Sequence, residues 1–206
     1  MQIELLDRQR VGAAADALAR GFQNDPLYSF VVPHAEHRRR WLPIFWRQIL
    51  KTTQPLGHTY LAVDDAGQIG GVIALTPPGK FPHSWWSDQR MFWNILLRPL
   101  PWVPALRPLW PLKRYAEAFD AMHPADPHWY VDVLGVDLAR QRGGIGRRLM
   151  GRAIELSRAS GDLLWLETEN VANVPYYESL GYVASERRDP VAGGPPTIGM
   201  RRDCDT

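Results

Sequence analysis

Cysteine is nearly absent. Cys204, two residues from the C-terminal end, is the only one in 206 residues, so no internal disulfide can form, and a tail position suits a nucleophile poorly. Lysine is scarce as well, confined to Lys51, Lys80 and Lys113, so the basic charge is almost all arginine. The opening residues, MQIELLDRQR, lack the apolar core of a signal peptide. The most apolar stretch, Phe92 to Trp110, is broken by Arg98, Arg107 and four prolines and cannot span a bilayer. The six histidines and one cysteine show no HxxxH or CxxC spacing, which argues against a metal site. A net charge of +2 favours no partner, and a pI of 8.8 falls short of a nucleic-acid signature. These absences lead to the expectation of a cytoplasmic protein that binds neither nucleic acid nor membrane; a monomer or homodimer is expected, though no residue here fixes which.

What is present is an ordinary globular composition, 45% apolar and 22% charged, over a length that suits one domain. Ile3 to Leu6 predicts a strand, and Asp7 a cap for a helix through VGAAADALARGF with Val11, Ala14, Ala15, Leu18 and Phe22 on one face. Asn24-Asp25-Pro26 ends that helix. A second helix covers Glu36 to Thr52, with Trp41, Phe45, Ile49 and Leu42, Trp46 at helical spacing; Pro43 either kinks or opens it. HTYLAVD and IGGVIAL predict a hairpin through Asp65-Ala66-Gly67-Gln68. Residues 77–127 then hold ten of the eighteen prolines and five of the nine tryptophans, with helices expected over Ser84 to Leu97 and Lys113 to Met122. That segment is either an irregular packed connection or the aromatic wall of a ligand pocket, with Trp85, Trp86 and Trp93 as substrate-contacting candidates.

The last third is regular. HWYVDVLGV predicts a strand, and GIGRRLMGRAIELSRASG a helix with Ile145, Leu149, Ala153, Ile154 and Leu156 inward and Gly161 as its stop. LLWLETE predicts a strand, ANVPYYESLG a short helix opened by Pro175, and YVASE and TIGMRR two antiparallel strands. The whole is a mixed α/β fold.

The strongest local signal is a strand, a short turn, then QRGGIGRRLM opening a helix. Backbone N–H groups at a helix start have no intrahelical acceptor and carry roughly half a positive charge from the macrodipole. Glycines let a ligand approach that backbone closely, so the segment can cradle phosphate oxygens, with Arg142, Arg147 and Arg148 adding charge. No Lys follows the glycines as a mononucleotide P-loop requires, and Leu149 stands where a dinucleotide fingerprint needs its third Gly. The fit is to [Q/R]xxGx[G/A], met by Gln141, Gly144 and Gly146.

That loop resembles the pyrophosphate loop of GNAT N-acetyltransferases. Downstream, NVANVPYYESLGY resembles the family's second signature, with matching spacing from Asn170 to Tyr177 and on to Leu180-Gly181-Tyr182. From Trp129 onward the chain is similar to the puromycin N-acetyltransferase branch, with HWY, LGV, QxxGxG, LET and NxPxYExLG in order; ARGFQNDPLYSFVVP resembles the opening of that branch. The resemblance says nothing about residues 77–127. Two departures stand out. Leu138 replaces a usual Pro, and Gly143 replaces a usual basic residue before Gly144, which puts at risk one phosphate contact worth ~1.5–3 kcal/mol.

The resemblance implies one GNAT domain over residues 1–206, with a mixed central sheet flanked by helices and splayed between the fourth and fifth strands. It implies acetyl-coenzyme A as co-substrate, its pantetheine lying along Leu134, Gly135 and Val136 by strand addition. Its diphosphate would rest on Gln141, Arg142, Gly143, Gly144, Ile145, Gly146 and Arg147. An N–H of the Leu134–Val136 stretch would polarise the thioester carbonyl. Tyr177 is placed near the coenzyme sulfur as general acid, while adjacent Tyr176 is assigned to packing. Glu167, on a face shared with Leu163 and Trp165, is either the general base facing the acceptor or a solvated strand-end carboxylate, with Glu169 next in line. Asn173 either bonds pantetheine or caps the short helix. His128 holds a strand end. The acceptor is expected to be a small-molecule amine attacked directly in a ternary complex. A protein or peptide amine, or a catalytically silent acyl-coenzyme A sensor, are the alternatives.

Overall fold

The computed structural model describes residues 1–81 and 109–204; the expected helix over Ser84 to Leu97 and the candidates Trp85, Trp86 and Trp93 lie outside them. Strands β1 (Gln2–Leu5), β2 (Thr59–Val63), β3 (Ile69–Thr76), β4 (His128–Val136), β5 (Leu163–Thr168), β6 (Val183–Arg188) and β7 (Thr197–Arg202) form one sheet in the order β1-β2-β3-β4-β5-β7-β6. Every neighbouring pair is antiparallel except β4–β5, which is parallel.

Helices cover both faces of the sheet, which explains why β2 and β3 are buried along their whole length. Side chains of β2 and β3 alternate between two cores. Leu61, Val63, Val72 and Ala74 meet helices α1 (Val11–Gly21) and α3 (Ala35–Thr53), where Leu18, Leu42, Phe45 and Ile49 are buried. Tyr60, Ala62, Ile73 and Leu75 meet the other side, where Ile145, Leu149 and Ala153 of a later helix (Ile145–Ser160) pack. The first described helix after the hairpin, α4 (Leu109–Met122), starts before its expected Lys113. We number the Ile145–Ser160 helix α5. No helix among the described residues is long and apolar enough to cross a membrane.

One local expectation is corrected and two are sharpened. Asp7 does not cap α1; its carboxylate accepts the N–H groups of Gln9 (2.8 Å) and Arg10 (2.9 Å) in the turn before it, and Arg10 is the cap residue. Asn24-Asp25-Pro26 does more than end α1. Asp25 accepts the N–H groups of Leu27 and Tyr28 and, with Pro26 behind it, starts a further helix, α2 (Pro26–Val31). Pro43 does not open α3, which runs unbroken from Ala35 to Thr53 because its stripe of Trp41, Leu42, Phe45, Trp46 and Ile49 is held in the core.

The feature that positions the site is the divergence of β4 and β5. They pair only at His128↔Leu163, Trp129↔Leu164 and Tyr130↔Trp165. Beyond that, β4 stays with β3 as far as Val136, and β5 stays with β7 as far as Thr168. The sheet therefore opens as a V, with an unpaired β4 edge along one arm. Helix α1 closes over this arm, where Gly21 lies so near β4 that a Cβ on it would stand 2.5 Å from the Val136 carbonyl oxygen.

Candidate active site

The β4 edge presents its groups to the gap in a definite order. Asp137 donates its N–H to the Gly70 carbonyl on the β3 side (3.0 Å). Backbone groups alternate along a strand, so Gly135 also turns toward β3 while Leu134 and Val136 face the gap. The Gln141 side-chain amide donates to the Val136 carbonyl (3.2 Å), so it ties the loop to the strand.

After β4 the chain is tightly held. Buried Asp137 accepts the Ala139 N–H through one oxygen (3.1 Å) and the Arg20 Nε–H through the other (2.6 Å). Arg140 pairs with Asp64 at 2.5 Å, fixing the turn to the hairpin. The backbone then takes a left-handed conformation at Arg142 (φ 64°) and again at Gly144 (φ 77°), from which α5 begins. Gly144 carries no capping side chain, and no described residue accepts the N–H groups of Ile145, Gly146 and Arg147. Residues 141–144 are exposed, so these donors open to solvent. Ile145 contributes only its backbone, since its side chain is in the core. Arg147 donates to the Ser179 hydroxyl (3.0 Å) and Arg148 to the Met1 carbonyl (3.3 Å), while Arg142 has no hydrogen-bond partner among the described residues.

Helix α6 (Val174–Glu178) brings the second signature to the V. Asn170, not Asn173, supplies the local cap, accepting the Ala172 N–H (3.1 Å); Asn173 makes no capping bond and lines the cavity. Tyr177 is 8% exposed and lines the cavity, and its hydroxyl makes no hydrogen bond with any described residue. Burial raises its pKa well above the ordinary phenol value, which keeps the proton on. Tyr176, expected only to pack, stacks edge-on against Tyr177 and holds its buried, unbonded hydroxyl 3.0 Å from where a Cβ on Gly146 would stand. It thus roofs the start of α5.

Between the arms of the V lies a cavity of about 110 Å³. β4 supplies Tyr130, Asp132 and Leu134, β5 and its end Glu167 and Glu169, and α2 with its cap Asp25 and Tyr28. Leu112, Tyr115 and Phe119 of α4 complete a wall, as does Trp46, whose buried indole N–H finds no acceptor among the described residues. Asp25, Asp132 and Tyr28 were not legible as site residues. Asp132 alone left a trace, an acid amid the apolar letters of HWYVDVLGV on the face of Tyr130 and Leu134.

Four carboxylates thus line one cavity. Burial pushes Asp25 up to about 6, opposed by its two backbone N–H bonds. Burial raises Asp132 to about 8 against the pull of the Thr76 hydroxyl, which donates to it at 2.7 Å. Burial likewise raises Glu167 to about 7, opposed by bonds from the Trp165 indole and the Tyr130 hydroxyl. Glu169 is held well above the carboxylate range by burial, with Asp25 and Glu167 adding repulsion. Glu167 is therefore not a solvated strand-end acid: its side chain is 4% exposed. A carboxylate poised near neutral pH in a cleft suits a general base.

The acetyltransferase (GNAT) family model matches residues 24–182. The N-alpha-acetyltransferase RimI of Mycobacterium tuberculosis is 37% identical over 75 residues, which are 35% of this chain and 48% of that protein. The match thus spans about half the length of this curated relative. Among solved structures, one described as histone acetyltransferase HPA2 and related acetyltransferase, from Corynebacterium glutamicum, superposes with a TM-score of 0.69 at 22% identity, covering 98% of this chain and 95% of that one. Arylalkylamine N-acetyltransferase 2 from Aedes aegypti superposes with a TM-score of 0.65 at 14% identity, covering 98% of each chain. At these identities the two structures speak for the fold alone.

Proposed function

The chain belongs to the acetyltransferase (GNAT) family and is an acyltransferase, and from that premise we propose that it moves an acetyl group from acetyl-coenzyme A to the amine of a small cationic molecule. The observation that carries this is the set of four buried carboxylates, Asp25, Asp132, Glu167 and Glu169, around an aromatic-walled cavity at the opening of the sheet. Such acids cannot all ionise together without a counter-charge, and an ammonium group supplies one.

The family generally uses acetyl-coenzyme A, and the residues present fit it. The unpartnered N–H groups of Ile145, Gly146 and Arg147 at an exposed helix start suit a diphosphate, with Gln141, Arg142, Gly143 and Gly144 around it. The open edge at Leu134, Gly135 and Val136 suits an amide-bearing arm, with Asn173 across the gap. The bound thioester supplies the acetyl group. Glu167 takes the proton lost by the attacking neutral amine, a backbone N–H of the 134–136 stretch polarises the carbonyl, and Tyr177 protonates the departing sulfur and regains its proton from water. Leu112, Tyr115 and Phe119 support assigning residues 77–127, within a single domain over 1–206, to the acceptor side, where Trp85, Trp86 and Trp93 are the further candidates. Within the family, LET and NVPYYESLG favour the puromycin N-acetyltransferase-like branch.

The RimI relative keeps a peptide amine in view as the second reading. Thiol release from acetyl-coenzyme A, measured with a panel of small mono- and diamines beside peptides with free N-termini, separates them. Faster turnover with the small cationic amines is expected. Turnover with peptides alone would replace the acceptor, and coenzyme binding without any turnover would point to a silent sensor.

A further inference from the structure

The four acids of the cavity fall into two groups. At one end Glu167 lies near Asp132, with the Tyr130 hydroxyl bonded to it and His123 Nε2 3.5 Å away. At the other end stand Asp25 and Glu169, and Glu169 is repelled more by Asp25 than by Glu167. Each of this second pair has one oxygen engaged. Asp25 Oδ1 accepts the N–H groups of Leu27 (3.0 Å) and Tyr28 (3.4 Å), and Glu169 Oε1 accepts the Thr197 hydroxyl (3.4 Å). Asp25 Oδ2 and Glu169 Oε2 accept no hydrogen bond from another described residue, and neither is sealed off from the cavity.

Tyr28 points to what these oxygens hold. The residue is 8% exposed and lines the cavity, yet its hydroxyl makes no hydrogen bond with any described residue and is not sealed into the packing. Burial, with the charges of Asp25 and Glu169 added, holds its pKa well above the ordinary phenol value, so the hydroxyl lies within the field of both acids. Its ring is fixed edge-on by Phe22 and Trp46, each at 5.6 Å. Asp25 Oδ2, Glu169 Oε2 and Tyr28 Oη are thus three acceptors at one end of the cavity. An ammonium group carries three N–H donors and the charge that two carboxylates require. Tyr115 and Phe119 in the adjoining wall add aromatic faces, which also suit a cation.

The spacing between the two ends is set by β5. Glu167 and Glu169 are two residues apart at its end, and both line the cavity. The usual strand rise puts two such positions roughly 6.6 Å apart, a span that an extended four-carbon diamine matches.

We propose that Asp25, Glu169 and Tyr28 form a second ammonium site, so that the preferred acceptor is a diamine with its reacting nitrogen at Glu167 and its other nitrogen, as ammonium, on these three oxygens. This rests on the reading of the cavity as the seat of an amine acceptor. The two nitrogens have different tasks. The one at Glu167 attacks as the neutral amine, whereas two carboxylates keep the other protonated. An amine with an apolar tail would leave Asp25 and Glu169 without a partner, and the site discriminates against it on that ground. The three residues determine specificity; the reacting atoms are at the other end.

The test measures kcat/KM for acetylation of 1,4-diaminobutane, 4-aminobutan-1-ol and pentylamine, which share one length and end in ammonium, hydroxyl or methyl. Wild-type enzyme is expected to favour the diamine over pentylamine by roughly 100-fold, after allowance for its two equivalent nitrogens, with the amino alcohol between. Asp25→Asn (which keeps the helix cap) and Glu169→Gln are each expected to cut the diamine-to-pentylamine ratio roughly 10-fold, and Tyr28→Phe about 3-fold. The ratio cancels any loss of active protein, and the acidity of each amine is the same for every variant, so a poorly folding variant still reports. A ratio unchanged in both carboxamide variants would overturn the second site. If the wild type acetylates no amine, the proposed function fails; if it uses pentylamine and the diamine alike, that function stands and only the second site falls.

Discussion

Tyr177→Phe lowers kcat by roughly 10²–10⁴ while coenzyme A affinity stays near that of the wild type. The hydroxyl is the only atom removed, and it makes no hydrogen bond with any described residue, so its loss strands no donor or acceptor in the fold. The ring contacts that seat the residue, with Tyr176 at 5.1 Å and Tyr182 at 5.9 Å, are kept by Phe. The hydroxyl's raised pKa means it stays protonated through neutral pH, as a group that must deliver a proton to a thiolate requires. Steady-state kinetics with parallel coenzyme titration check this, and an unchanged kcat would remove the role.

Glu167→Gln lowers kcat/KM at neutral pH by roughly 10²–10⁴ and abolishes the acid limb of the pH profile. The base works only when ionised, and burial holds its pKa at about 7. Wild-type kcat/KM therefore rises with pH through about 7 and levels off above it, whereas the Gln variant is low and lacks that rise. Gln retains an oxygen to accept from the Trp165 indole and the Tyr130 hydroxyl, so the wall of the cavity is preserved. A pH–rate series on both proteins decides the matter. Persistence of the limb in the variant would move the role to another carboxylate of the cavity, Asp132 first, since it is raised to about 8 on the opposite arm of the V.

Much of this site was legible because its parts are local. The short apolar runs in HWYVDVLGV and LLWLETE mark two strands, and glycines before an amphipathic run mark an exposed helix start. What was missed depends on convergence or on backbone detail. Asp25 and Tyr28 reach the cavity from an element far from β4 in sequence and Tyr115 from the helix just before β4, and only the packing of α2 and α4 over the sheet brings them there. Asp-Pro after a helix serves both as a stop and as the start of the next helix, and the sequence does not separate the two. In Asn170-Val171-Ala172-Asn173, either asparagine can cap; the extended backbone at Asn170 (φ −104°, ψ 98°) lets it do so and leaves Asn173 to the cavity. His123 and His128 flank a short loop that holds Pro124 and Pro127, a spacing that signals nothing until the loop folds their rings together.

The most direct measurement is isothermal titration of the wild-type chain with coenzyme A, and in parallel with pantetheine, which has the arm but no diphosphate. Donors at Ile145, Gly146 and Arg147 that await phosphate oxygens predict saturable heat with coenzyme A at a single site and much weaker binding of pantetheine. Absence of heat with coenzyme A, or equal affinity for the two ligands, would contradict a diphosphate seated on the start of α5.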